Sequence, residues 1–297
     1  MTNTLENAST ASSTDFVGVP VDEVIAAADE LARGGRYVRA ASLLDATTAT
    51  GRSRTLLALA SAEVAMASDY SLRSDTAAAR LRTAELAAAA ADLDPGTRWD
   101  LSFLRLRQDY LGQIIRDGTF QPGPSGKDPN LLADLRRRTS DLLAQAPDGV
   151  RRGWAHMYLG LVADNLHGER DAAPASYEAA LRAGEACGVD GPGDDLLARE
   201  ALRHLGDHDH DNGDHALALV RWARAAELGA RAGAVPGTLA QQLLLAVLAR
   251  DAGNEAGATL LAGEIVRWAA AIGAVNIEAQ ATAFLSGVDP TAPPENA

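Results

Sequence analysis

The chain has 297 residues, 47% hydrophobic but only 4% aromatic, and a formal net charge of −13. That length and apolar content support an extended core, and the negative balance argues against a nucleic-acid surface, which draws on positive charge. A lone cysteine, Cys187, precludes an intrachain disulfide and reads as a small buried hydrophobe at a helix end.

Residues 1–18 are rich in Ser, Thr, Ala and Asn and read as a disordered tail. This start has no basic segment followed by an apolar run, so no signal peptide is expected. No uncharged apolar run approaches the about 18 residues of a membrane span, so a cytoplasmic location is expected. From residue 19 to 287, helical stretches alternate with short breaks of Gly, Pro or Asp. The periodicity predicts helix pairs over 21–33 and 36–47, 52–68 and 73–93, and 98–117 and 130–146. Further pairs follow at 150–167 and 170–187, 195–211 and 214–232, and 237–252 and 254–272, with a closing helix at 275–286. Few β-branched runs occur, and alanine, the best helix former, is abundant. Asp128-Pro129 supplies a cap and a first-turn proline, Asp194 and Asp214 are placed as caps, and Pro95-Gly96 and Pro236-Gly237 mark breaks. The Pro-rich segment 288–297 reads as a second tail.

Glycines repeat along this plan. Gly168, Gly213 and Gly253 fall in predicted turns, and Gly188, Gly229 and Gly273 at predicted helix ends. Both series give roughly 40–45 residues per helix pair. Within 200–231 the order is Leu202, Leu205-Gly206, the turn Asn212-Gly213-Asp214, then Ala218, Trp222 and Ala225. Leu159-Gly160, Ala173, Tyr177 and Ala180-Leu181 follow the same order with one extra residue in the turn. Leu31, Gly35, Tyr37, Ala40 and Leu44 fit in part, whereas 52–146 keep the rhythm and lose most of the signature.

This pattern resembles the tetratricopeptide repeat, and its long units are similar to the sensor arrays of bacterial (actinobacterial) transcription regulators. The resemblance is best over 150–286. It implies an all-α, right-handed α-α superhelix of about six helix pairs plus a closing helix. It further implies that the first helix of each pair lines a concave surface, which would turn Arg203, Asp207 and His210 toward a partner.

Four of the six histidines lie in 203–215. His204, His208 and Asp211 share one helix face by spacing, a pattern able to present imidazole and carboxylate to a divalent metal. A solvated polar helix end explains the same residues without a metal. The loop 119–129 holds the only lysine, Lys127, but lacks the first glycine and the Ser/Thr of a phosphate loop, and reads as an insertion or a partner contact. Arg136-Arg137-Arg138 and Arg151-Arg152 read as solvated helix surface. Trp154, Trp222 and Trp268 read as core.

The sequence thus predicts a non-catalytic adaptor or sensor that binds a peptide or protein partner on a concave helical surface, without cofactor, nucleic acid or membrane. Self-association is left open. One alternative is a metal-dependent enzyme or metal-binding protein using 204–215. Another is a regulatory partner of a transcription factor or biosynthetic pathway protein.

Overall fold

The computed structural model describes residues 18–116, 119–186 and 193–292, so Cys187 and Gly188 lie outside the described residues. Within them the chain forms thirteen α-helices and one two-residue hairpin. The helices come in pairs: α1 (Val21–Arg33) with α2 (Tyr37–Asp45), α3 (Gly51–Leu72) with α4 (Ala77–Ala89), and α5 (Pro95–Ile114) with α6 (Pro129–Ala144). Then come α7 (Gly149–Leu161) with α8 (Ala173–Glu185), α9 (Asp195–Asp211) with α10 (His215–Arg231), and α11 (Val235–Asp251) with α12 (Glu255–Ile272), closed by α13 (Val275–Leu285). Every predicted helix is present.

Each helix packs on its neighbours in the chain, as a stacked array requires. First helices also touch one another, α1 with α3, α3 with α5, α7 with α9, and α11 with α13. These are the helices expected to line the inner wall of the array, with the second helices outside. The array also meets itself: α13 packs on α3, Arg73 Nε donates to Asn276 Oδ1 at 2.7 Å, and Arg33 Nη1 donates to the Ala232 carbonyl at 3.3 Å.

A small-large-small triplet at helical spacing explains the pairing. Ala218, Trp222 and Ala225 on α10 are fully buried, as are Ala173, Tyr177 and Ala180 on α8. The aromatic ring lies where the facing helix carries glycine. A Cβ on Gly206 would stand 2.4 Å from the Trp222 ring, and one on Gly160 would stand 2.4 Å from Tyr177. The same spacing recurs where sequence similarity fades, as Ala77, Leu81 and Ala84 on α4 and as Leu135, Thr139 and Leu142 on α6. In the third pair the aromatics have moved to the first helix. Trp99 stacks on Phe103 at 4.8 Å, Phe103 meets Tyr158 edge-on at 5.0 Å, and Trp99 Nε1 donates to the Leu142 carbonyl at 2.9 Å.

The helix caps follow the sequence. Asp194 accepts from the Leu196 and Leu197 amides, Asp128 from Asn130, and Asp214 from Leu217. Other local expectations are corrected. Pro95 does mark the break between the second and third pairs, but α5 starts at it and not at the expected residue 98, because proline lacks only an amide that the first turn leaves unbonded, and Asp94 caps Thr97. Gly229 lies inside α10, where a Cβ would come 2.7 Å from Thr238 Oγ1; the turn glycine is Gly233, with φ of +70°. Trp268 is 56% exposed on the outer wall, since Ala262, Ile265 and Ala269 already fill the buried stripe of α12. Trp154 is half-buried, its Nε1 donating to Asp194 at 2.8 Å.

The insertion after α5 is tied down. Strands β1 (Ile115–Arg116) and β2 (Thr119–Phe120) pair, and the Gly123 amide donates to the Asn165 carbonyl at 2.8 Å. Lys127 is buried, donating to the carbonyls of Gln121, at 2.8 Å, and Gly123. Burial draws its ammonium below the ordinary lysine range. It serves as the clasp of its own loop.

Candidate functional site

Charged side chains of the first helices α3, α5 and α9 form two groups. Glu63 of α3 lies 3.9 Å from Arg107 of α5. Burial raises the Glu63 carboxyl, with Arg107 opposing. Burial pulls the Arg107 guanidinium down, but Tyr158 of α7 and Glu63 outweigh it and hold it above the ordinary arginine value. On α9 the Asp207 carboxylate, 3.8 Å away, does the same for Arg203, with smaller contributions from Glu200 and from Tyr70 of α3. Burial lifts Asp207, opposed by Arg203, and Trp222 Nε1 donates to its Oδ1 at 3.2 Å. Arg203 is 37% and Glu63 55% exposed.

Of the three residues expected on the concave surface, Arg203 and Asp207 lie beside one another on α9. His210 sits at the end of α9, stacked on Trp222 at 5.4 Å and on His215 at 4.9 Å. The suggested metal trio is spread over separate partners. His204 stacks on Tyr177 at 5.1 Å with its Nδ1 3.5 Å from Asp207. His208 Nε2 is 3.0 Å from Asp164 Oδ2, and Asp211 is paired with Arg170.

Asp164 is a residue that the sequence did not single out. The chain from Val162 to Leu166 winds as a π-helical turn, wider than α. Its buried carboxylate accepts from Tyr177 Oη at 3.2 Å as well as facing His208, and Asn165 beside it donates to Tyr110 Oη at 2.8 Å. The signal was the extra residue between Gly160 and Ala173. Arg107 and Glu63 carried no signal, because their role depends on neighbours far apart in sequence. Among the described residues no helix is long and apolar enough to cross a membrane.

The arginine clusters of the sequence hold the array together. Arg138 reaches Asp109 on α5 at 2.6 Å, Arg136 reaches Glu169 at 2.6 Å, and Arg151 spans Asp100 and Asp148 at 2.6 and 2.5 Å.

No family model and no curated protein matches this sequence. A solved structure does resemble the chain, a Rap protein complexed with competence and sporulation factor. The TM-score is 0.54 at 14% identity, over 90% of this chain and 71% of that one. At that identity the likeness concerns the fold. This protein has a tetratricopeptide-like fold, its helices packed pairwise as in the Rap protein.

Proposed function

We propose that this protein is a non-catalytic adaptor or sensor that holds a peptide or protein partner against its inner wall. The observation that carries the reading is the set of charged side chains that the first helices present, Glu63, Arg107, Arg203 and Asp207, of which Arg203 and Glu63 stay partly exposed to solvent. Charges that line a concave wall are screened less than on an open surface and select a partner by complementary charge. Arg203 Nη1 lies 3.1 Å from His204 Nε2 and its Nη2 3.8 Å from the Asp207 carboxylate, beyond hydrogen-bond distance, so an acidic group of the partner could take up its remaining donors. A preformed wall also lowers the ordering cost of association. That the similar Rap protein is complexed with competence and sporulation factor supports partner binding on such a fold.

The test is capture of the partner from the native host, followed by calorimetry with the purified pair. Arg107→Ala and Arg203→Ala together should weaken binding at least tenfold while leaving the helical circular dichroism unchanged. Wild-type affinity in that double variant, or cross-links confined to α10 and α12, would remove the inner wall from the account.

A further inference from the structure

Three helix ends from two successive repeats meet at one edge of the array. His210 lies in the last turn of α9, His215 is the first residue of α10 and Asp251 is the last of α11. One ligand atom from each lies within 4.8 Å of the other two. The turn between α9 and α10 is closed by Gly213, with φ of +80°, and by the Asp214 amide donating to the Asp209 carbonyl at 2.9 Å. The His210 ring is clamped by Trp222 and His215, and its side chain is only 14% exposed.

The two nitrogens of His210 have different surroundings. Nδ1 is 3.5 Å from Asp211 Oδ1, and Nε2 is 3.3 Å from Asp251 Oδ2. In the tautomer protonated at Nδ1, the Nε2 lone pair and the Asp251 carboxylate face one another, and a cation held between them satisfies both. Their 3.3 Å separation is long for a charge-assisted N–H···O bond, which is about 2.7–2.9 Å. It matches the spacing of two ligands on a tetrahedral ion, about 3.3 Å for bonds of about 2.0–2.1 Å. A shared proton would serve two atoms. The third donor, His215, is exposed, stacks on the His210 ring at 4.9 Å and brings a ring nitrogen into the same cluster.

We propose that His210, His215 and Asp251 form a zinc site that ties α9, α10 and α11 together, with Asp211 as the outer carboxylate that orients His210. Two imidazoles and a carboxylate are a borderline donor set suited to zinc, with water in the fourth position. Outer carboxylates of this kind hold the imidazole in the ligating tautomer. The site differs from the His204, His208 and Asp211 face, and it does not depend on the inner wall binding a partner.

The experiment is zinc titration by calorimetry of untagged full-length protein stripped with EDTA. One zinc per chain should bind the wild type, and His215→Ala and Asp251→Asn should each weaken it at least tenfold. Both positions are exposed, and circular dichroism confirms that the variants are folded. His208→Gln should bind zinc as the wild type does. Absence of saturable uptake, uptake unchanged in both His215→Ala and Asp251→Asn, or uptake lost in His208→Gln alone would each overturn the assignment.

Discussion

The fourth and fifth helix pairs, 149–185 and 195–231, use one packing device and differ by one residue. In each, a glycine on the first helix admits an aromatic ring from the second, Gly160 with Tyr177 and Gly206 with Trp222. Flanking alanines are buried in both. The fourth pair carries one more residue between glycine and the first alanine, and the π-helical turn at 162–166 absorbs it. A widened turn rotates the side chains that follow it, and here it brings Asp164 into the interface with α9. The fifth pair runs on regularly to Asp211. An inserted residue has therefore kept the lock and added a polar contact between repeats, Asp164 with His208.

The comparison is broken most strongly at the ring itself. Trp222→Ala should cost roughly 3–5 kcal/mol, since Gly206 leaves no side chain to fill the void, and denaturant unfolding measures it. A loss below about 1 kcal/mol would mean the lock is not the source of stability. Asp164→Ala comes next, at about 3 kcal/mol, because it strands Tyr177 Oη and His208 Nε2 in a buried site. Calorimetric melting should show that loss, and a neutral result would make the widened turn a tolerated irregularity instead of a polar junction.

Much of this was readable in advance. The helix order, the caps at Asp128, Asp194 and Asp214 and the repeat length come from local chemistry, which a single sequence carries. The third pair was obscure because Leu135, Thr139 and Leu142 replace the small-aromatic-small triplet, keeping its spacing while changing its letters. Trp268 misled because apolar spacing cannot distinguish a buried stripe from an adjoining outer one. At the candidate sites, spacing placed Arg203 and Asp207 together but assigned the histidines to a face of one helix. Their partners come from other repeats: Tyr177 beside His204, Asp164 beside His208 and Asp251 beside His210. Asp251 stands 40 residues after Asp211, in the matching place of the next repeat.

Acid should separate the two pairs through His204, which sits between them against Tyr177. Burial, aided by Arg203, His208, Arg199 and Arg170, holds its imidazole well below the ordinary histidine range, with Asp207 as the nearby carboxylate. In the unfolded chain it titrates near about 6.5, so below that pH the unfolded state takes a proton that the folded state refuses. This contribution is complete above about pH 6.5 and declines as pH falls, by up to about 1.4 kcal/mol per pH unit. His204→Gln should flatten the profile between about pH 6.5 and 5. An unchanged slope in that variant would place the acid sensitivity elsewhere.

The smallest effect gives the finest comparison. Gly168 and Gly213 occupy the turns of the two pairs, with φ of +68° and +80°. A Cβ at Gly213 meets nothing within 4 Å, and at Gly168 only Pro124 Cδ at 3.9 Å. With space available at both, the cost of Gly→Ala is the left-handed backbone alone, about 1–2 kcal/mol at each position. Equal losses in Gly168→Ala and Gly213→Ala would show that the widened turn is relieved before residue 168 and leaves the hairpin unstrained. A markedly larger loss at Gly168 would show instead that the docked loop at 119–129, through Pro124, presses on the turn, and that the inserted residue and the loop stabilise one another.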